Sequence, residues 1–160
     1  MKKKIYLISR LYEPLHLAIK ELSWRHTGIP AYYNLIKYIE KDNRFDLQVI
    51  FLLDSSSFQK FKSGKYKIEG IQNKVRLVQY FSLFTDKGIL KKIQWLINKL
   101  FQYILLFFVL KKNSIYYLDR DNILLGNILS FKKGFIVYRL LGIKKNYYDI
   151  FFNRGFLSKL

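Results

Sequence analysis

A short apolar run that starts at residue 115 is followed by four polar residues suited to ligand binding: Asp119, Arg120, Asp121 and Asn122. Arg139 holds a similar place, because it follows the next apolar run, residues 135–138. Carboxylate pairs suit sugar hydroxyls, and the arginine fork suits phosphate oxygens. These side chains predict a site for a hydroxylated or phosphorylated ligand. The alternative is structural, with Asp121 capping a helix and Arg120 pairing with it.

The segment from residue 115 to residue 138 predicts a strand, a helix and a second strand. Both runs are too continuously apolar to leave one face in water, so we expect neighbouring parallel strands that are covered on both sides. Gly134 is expected to end the helix between them. The predicted inward face of that helix consists of Ile123, Leu124, Ile128 and Leu129. Ligands bind beyond the carboxyl ends of such strands, where the polar residues would lie.

The earlier part of the chain repeats this alternation. Predicted strands cover residues 5–8, 45–53, 75–81, 115–118 and 135–138. A helix is predicted from residue 31, with Pro30 in its first turn. A long loop covers residues 9–30, with a short turn of helix near residues 15–22 as an open alternative within it. Residues 55–73 indicate a basic loop or a short hairpin. The fold class expected is α/β, with a doubly wound, mostly parallel, Rossmann-like sheet of about five to six strands.

A long helix is predicted over residues 89–110. The apolar residues on its expected inward face are Ile93, Leu96, Ile97, Leu100, Ile104, Phe107 and Phe108. Its last part, residues 100–110, is apolar nearly all round but too short for a bilayer span, which takes about 20 residues. Two interpretations stay open and are compatible: a buried core helix, or a helix that dips into a membrane surface beside flanking lysines.

Composition narrows the classes of function. The apolar content of 51% is that of a globular domain, and the absence of cysteine excludes disulfides and thiolate metal sites. With two histidines, neither a metal nor a cofactor is predicted. The formal charge of +18 favours an anionic neighbour: nucleic acid, an anionic membrane surface or a phosphorylated substrate. A compositional bias of an AT-rich genome is the alternative explanation.

The two ends of the chain bear on location and domain organisation. Three lysines and a short apolar run at the start do not resemble a signal peptide, so we expect a cytoplasmic protein, with peripheral attachment at the inner face of the cell membrane as an open alternative. Residues 1–143 are predicted to form the domain. Residues 144–160 are rich in aromatic side chains and are predicted to be a packed tail or the start of an interdomain linker.

The polar turn after residue 118, the helix behind it and the closing residues 138–142 resemble strands four and five of a known domain. This is the N-terminal domain of bacterial GT-B glycosyltransferases of the family-4 type. Residues 5–8 look like the first strand of that domain, and Thr27 and Gly28 look like its glycine-containing turn into the first helix. The resemblance implies a single GT-B half-domain with Thr27 and Gly28 close to the donor phosphate.

The same resemblance implies where an acceptor binds. Glu13 and His16 lie in the first loop, inside the presumed cleft, and join the polar residues 119–122 and Arg139 as acceptor-binding candidates. A histidine often stands in the family where this chain has Arg139, and arginine favours contact with an anion over general-base chemistry. A lone histidine in a loop is also an ordinary surface residue. No catalytic residue is assigned.

The function implied is that of an acceptor-binding half in polysaccharide biosynthesis, where a sugar passes from a nucleotide-sugar donor to a lipid-linked or cell-surface glycan. The donor-binding half has no counterpart in these residues. We therefore expect a truncated enzyme or one subunit of a split one, inactive without a donor-binding domain or partner subunit. The alternative is a basic nucleic-acid-binding module, which the charge and the aromatic residues favour but for which no RNA-binding motif is visible.

Overall fold

A computed structural model of the chain describes residues 2–25, 29–82 and 88–139. The strands are β1 (Lys3–Arg10), β2 (Phe45–Leu52), β3 (Gly64–Tyr66), β4 (Val75–Val78), β5 (Ile115–Asp119) and β6 (Phe135–Arg139). The helices are α1 (Glu13–Lys20), α2 (Pro30–Lys41), α3 (Gly88–Val109) and α4 (Ile123–Ser130), with a 3-10 turn at Arg120–Asn122. The strands form one six-stranded sheet in the order β3-β4-β2-β1-β5-β6, and β3 alone is antiparallel to its neighbour. The predicted α/β, mostly parallel, Rossmann-like fold is confirmed.

The order of the strands reverses once, between β1 and β5. The chain runs outward from β1 to β2 and then to β4, and α3 returns it to the other side of β1, where β5 and β6 follow. Ile5 in β1 therefore pairs with Leu47 of β2 on one side and with Ile115 of β5 on the other. The carboxyl ends of β1 and β5 flank a crevice, since the connections that leave them lead to opposite faces of the sheet.

Each face of the sheet carries its own core. Alternate residues of β1 show the division, because Leu7 packs towards α1 and α2 while Ile8 packs towards α3 and α4. The central strands are apolar without interruption since both of their faces are covered. β6 differs from the prediction, because Phe135 is 65% exposed and Val137 is 42% exposed. As an edge strand it has one face that the other described residues do not cover.

The orientation of α3 corrects the prediction most clearly. Of the residues expected to face inward, only Phe107 packs against the core, and the following are exposed: Ile93, Leu96, Ile97, Leu100, Ile104 and Phe108. The side that faces the sheet carries three amides and two apolar or aromatic residues: Gln94, Asn98, Gln102, Tyr103 and Leu106. The helix thus turns its wholly apolar side away from the core.

Backbone groups beyond the strand ends explain this orientation. Asn98 Oδ1 accepts a hydrogen bond from the Phe81 N–H at 2.6 Å, and Asn98 Nδ2 donates to the Phe81 carbonyl at 2.8 Å. Gln102 Nε2 donates to the carbonyls of Leu53 and Gln79 at 2.8 and 3.0 Å. Chain that has left a strand but is still buried must find such partners. The amides of α3 supply them, and this fixes which side of the helix faces the sheet.

Smaller differences concern α4 and the connecting segments. Leu124, predicted to face inward, is 51% exposed, because the turn of α4 places Leu125, Gly126 and Leu129 against the sheet. The short helix expected within residues 9–30 is present as α1 and begins earlier than predicted, at Glu13. Of the two forms predicted for the basic segment 55–73, the hairpin is observed, since β3 pairs with β4. The aromatic tail, residues 144–160, lies outside the described residues. No helix in the described parts of the chain has both the length and the apolar character that a membrane crossing requires.

Candidate functional site

Asp119 is the centre of a polar network at the crevice between β1 and β5. It ends β5 and lies beside Ser9 because Leu118 pairs with Ile8 in the parallel register. The carboxylate is only 2% exposed and accepts hydrogen bonds from three hydroxyls. Ser9 and Tyr12 donate to Oδ2, the latter at 2.9 Å, and Tyr32 donates to Oδ1. One carboxylate therefore ties together β1, β5 and the starts of two helices.

The two tyrosines reach Asp119 because both helices begin at this edge of the sheet. Tyr12 is the residue before α1, two residues after the end of β1. Tyr32 lies in the first turn of α2, which begins at Pro30 as predicted. Its ring is buried against the core while its hydroxyl points at Asp119. The network thus depends on where two helices start.

Arg139 completes this cluster from the neighbouring strand. It ends β6 and is the register partner of Asp119. Its guanidinium lies over the ring of Tyr32, 4.3 Å from the ring centroid. Nη1 of Arg139 is buried and has no hydrogen-bond partner in the described part of the chain. An unsatisfied buried donor costs about 1 to 3 kcal/mol, so the geometry favours an acceptor atom from a ligand at this position.

The environment of the cluster keeps both tyrosines neutral. Burial raises the pKa of Tyr12 to about 12, and the negative charge of Asp119 acts in the same direction. The pKa of Tyr32 is raised for the same two reasons, burial first, while hydrogen bonding to Ser9 and Arg139 acts the other way. Both phenols therefore remain donors at neutral pH, which holds the Asp119 carboxylate in place.

A second group of charges lies at the same edge on the face of the sheet that α3 covers. Arg10 Nε is 4.0 Å from Asp54 Oδ2, and the Arg10 guanidinium lies 4.9 Å from the centroid of the Tyr12 ring. Burial lowers the pKa of Lys99, opposed by the negative charges of Asp121 and Asp54. Positive and negative side chains alternate along this edge, which suits a ligand with both hydroxyl and phosphate groups.

The structure separates the predicted site residues into three sets. Asp119 and Arg139 are brought together, and Asp121 is exposed close to them. Asn122 is fully buried and accepts a hydrogen bond from the Tyr103 hydroxyl at 3.3 Å, so its side chain belongs to the core. Of Arg120 the structure describes only the backbone, in the 3-10 turn.

The predicted residues of the first loop lie on α1 or outside the description. Glu13 is exposed at the first turn of α1. His16 packs on the Phe61 ring, with 5.0 Å between the ring centroids, and its Nε2 is buried with no hydrogen-bond partner in the described part of the chain. Thr27 and Gly28, expected near a donor phosphate, lie outside the described residues, as does His26.

Sequence reasoning missed the hydroxyl donors Ser9, Tyr12 and Tyr32. Tyr32 fitted the apolar side of an amphipathic helix, and its ring is indeed buried. Ser9 carried a usable signal, because it directly follows the first strand. In a doubly wound sheet the first strand lies beside the one that ends at Asp119, so the two side chains were placed to meet.

In the part of the chain that the structure describes, no group of three or more histidine, aspartate or glutamate side chains could hold a metal ion. Comparison of the sequence with protein-family models found no match, and neither did comparisons with curated proteins and with solved structures. A functional proposal therefore depends on the chemistry and geometry of the chain itself.

Proposed function

We propose that this chain is the acceptor-binding half of a glycosyltransferase that moves a sugar from a nucleotide-sugar donor to a lipid-linked or cell-surface glycan. The supporting observation is the cluster at the switch point, where Asp119 accepts hydrogen bonds from three hydroxyls and Nη1 of Arg139 is buried with no hydrogen-bond partner among the described residues. Open α/β sheets bind their ligands in this crevice. The cluster joins the carboxyl ends of β1, β5 and β6.

Two features of the cluster fit an acceptor with a phosphate and hydroxyls. Nη1 of Arg139 offers a charged donor to a phosphate oxygen, as in lipid-phosphate-linked sugars. Tyr12, half-buried and held by Asp119 and Arg10, presents an aromatic ring at the same edge. In this proposal Asp119 is a positioning residue, because its oxygens are already bonded by side chains of the chain.

The proposal includes a partner for the donor. A GT-B enzyme has two facing Rossmann-like domains, and the single six-stranded sheet corresponds to one of them. A separate domain or a partner subunit would hold the nucleotide sugar and supply the catalytic group. Purified alone, the 160-residue chain is expected to transfer no sugar from any nucleotide sugar. Measurable transfer by this chain alone would contradict the two-domain proposal.

The outer side of α3 supports a membrane-associated acceptor. Ile104 is 55% exposed and Phe108 is 78% exposed, in a face without a charged residue. Lys92 and Lys99 flank this face, and Lys111 and Lys112 follow the helix. Amphipathic helices with basic flanks lie in the interface of anionic bilayers. We propose that α3 rests on such a bilayer, where a lipid-linked acceptor would be reached.

The experiment that tests the proposal measures acceptor binding. The probe is a short-chain prenyl-diphosphate-linked monosaccharide in detergent micelles, titrated against the wild-type chain and against Arg139→Gln. Loss of a charged hydrogen bond to the ligand is expected to weaken binding about 30-fold or more. The matched control is Arg25→Gln, an exposed arginine that should leave affinity unchanged. Equal affinities of wild type and Arg139→Gln, with both folded, would contradict the assignment.

A further inference from the structure

A basic groove lies at the edge of the sheet opposite to the Asp119 cluster, at the amino ends of β1, β2 and β4. It has a volume of about 380 Å³ and lies on the face of the sheet that carries α3. Five cationic side chains line it: Lys4, Lys65, Lys74, Arg76 and Lys111. Its one carboxylate, Asp46, already pairs with Lys4 at 3.3 Å. The groove is therefore strongly positive.

Two of these cations face each other within the sheet. Lys65 and Arg76 are register partners in the antiparallel pair of β3 and β4, so their side chains share one face. Like charges directly opposite each other on neighbouring strands destabilise a sheet. No ion pair in the described part of the chain involves either residue. A bound anion would relieve this repulsion.

A second cavity with a mixed polar and apolar wall adjoins the basic groove. It has a volume of about 410 Å³, shares Lys65 and Arg76 with the groove and has Phe101 and Leu105 of α3 in its wall. Phe101 is also exposed next to the outer face of α3. Lys65 and Arg76 thus lie between the basic groove and the apolar side chains of α3 that line the second cavity. This arrangement is complementary to a molecule with an anionic head and a hydrocarbon tail.

We infer that the groove binds the phosphate headgroup of an anionic phospholipid, with an acyl chain along Phe101 and Leu105, while the outer face of α3 lies on the bilayer. Charge complementarity selects the headgroup, because no carboxylate of the described residues pairs with Lys65 or Arg76. The inference extends the membrane part of the proposed function. It does not depend on sugar transfer, since the groove and Arg139 are at opposite edges of the sheet.

The test is binding of the chain to vesicles of phosphatidylcholine alone and to vesicles that also contain phosphatidylglycerol. Lys65→Gln combined with Arg76→Gln is expected to weaken binding to the mixed vesicles roughly 30-fold, and to leave the weak binding to phosphatidylcholine unchanged. The charge-matched control is Lys20→Gln combined with Lys60→Gln, two exposed lysines outside both cavities. Equal losses in the two double variants would overturn the groove as a specific site.

Two further binding measurements distinguish a lipid headgroup from a soluble phosphate and from a nucleic acid as the ligand of the groove. Soluble glycerol 3-phosphate should bind far more weakly than the lipid, because it lacks the acyl chain; equally tight binding would overturn the lipid assignment. Tight binding of a single-stranded RNA oligonucleotide that is lost in the Lys65/Arg76 double variant would overturn it in favour of nucleic acid. Should that variant unfold, Lys111→Gln, an exposed position after α3, provides the same comparison with Lys20→Gln.

Failure of lipid binding in the groove can be distinguished from failure of acceptor binding at Arg139. Arg139→Gln should bind both kinds of vesicle like the wild type, because Arg139 is not in the groove. Ile104→Asp combined with Phe108→Asp should weaken binding to both kinds of vesicle, since it changes the apolar face and leaves the headgroup site intact. A variant of α3 that lost only the preference for phosphatidylglycerol would contradict this division of roles.

Discussion

Asp119 joins more of the molecule than any other polar side chain of the site. Its partners Ser9, Tyr12 and Tyr32 belong to the end of β1, the entry to α1 and the first turn of α2. If Asp119 were removed, the Tyr12 and Tyr32 hydroxyls would lose the acceptor that they have in the described part of the chain, and Ser9 would keep only the Arg10 carbonyl. A residue predicted to bind ligand therefore also holds the edge of the sheet together.

Replacement of Asp119 should cost stability as well as function. Asp119→Ala leaves the Tyr12 and Tyr32 hydroxyls without their acceptor, while Ser9 keeps the Arg10 carbonyl at 3.0 Å. We expect a loss of about 3 kcal/mol in the free energy of unfolding, measured by urea denaturation. Asp119→Asn keeps the shape and one acceptor oxygen and should cost less. The control is Asp46→Ala, which removes the partner of Lys4 at 3.3 Å at a solvent-accessible place. Its expected cost is below about 1 kcal/mol, and equal losses in the two alanine variants would contradict this account.

The raised pKa of Tyr12 predicts how stability depends on alkaline pH. Below pH 10 the phenol is neutral in the folded and unfolded states, so its contribution is complete. Between pH 10 and about 12 the phenol ionises in the unfolded chain only, so stability falls as the pH rises through this window. Tyr12→Phe should show a shallower fall than the wild type when urea midpoints are measured across that range. Parallel curves would mean that the environment of Tyr12 is not the one described.

At the residue scale the sequence placed Asp119 and Arg139 at the same edge of the sheet, and the structure shows them as register partners there. That these two residues bind a ligand stays a prediction. Tyr32 was not found, since an aromatic residue on the apolar side of a helix is ordinarily core, and its ring is core here too. Asn122 shows the opposite case. It was predicted to bind a ligand because it is polar and follows a strand, but its side chain is fully buried.

Among the elements, α3 is held by amides and not by its apolar side. Asn98 satisfies both backbone groups of Phe81, and Gln102 donates to two carbonyls beyond the strands. Periodicity assigns the more apolar side of a helix to the core, and here that rule gave the wrong side. The competing requirement was that buried backbone groups find partners, which outweighs the burial of several apolar residues.

Substitutions on the two sides of α3 should therefore have effects opposite to those that hydrophobicity suggests. Asn98→Leu leaves the Phe81 N–H and carbonyl without partners and should lower the free energy of unfolding by about 2 kcal/mol. Leucine has a higher helix propensity than asparagine, so a loss of stability would be due to the missing amide hydrogen bonds and not to a weaker helix. The control is Ile97→Ala on the exposed side, expected to change stability by less than about 0.5 kcal/mol. The free energy of unfolding of both variants is measured by thermal or urea denaturation. A greater loss in Ile97→Ala than in Asn98→Leu would contradict the described orientation of α3.

For the whole molecule, charge is divided between the two edges of the sheet. At the carboxyl edge, Arg10, Lys99 and Arg139 are accompanied by Asp54 and Asp119. At the amino edge the cations of the basic groove have a single carboxylate among them. Among these described groups, the excess of cations over carboxylates is larger in the basic groove than at the proposed acceptor site. This division suits a domain that meets an anionic surface at one edge and a small ligand at the other.

The fold of the whole domain was predictable from the sequence, and the surfaces were less so. Continuous apolar strands alternating with helices predict a parallel sheet, which the structure shows. The order β4-β2-β1-β5-β6 was not predicted, since it depends on which side of β1 each later strand joins. The uncovered face of β6 and the outward face of α3 could not be predicted, because both depend on which elements are neighbours. The same limitation applies to the groove, whose cations come from three strands and two connecting segments.

The central claim is that the acceptor binds at the carboxyl ends of β1, β5 and β6. The most direct measurement is NMR of the ¹⁵N-labelled chain in detergent micelles, with and without the prenyl-diphosphate-linked monosaccharide. Since the micelle is present in both samples, only ligand contacts should differ. We expect the shifted amide signals to cluster around Arg10, Tyr12, Asp119 and Arg139, and to lose that pattern in Arg139→Gln. Shifts confined to the basic groove at the opposite edge, or shifts that persist unchanged in Arg139→Gln, would contradict the claim.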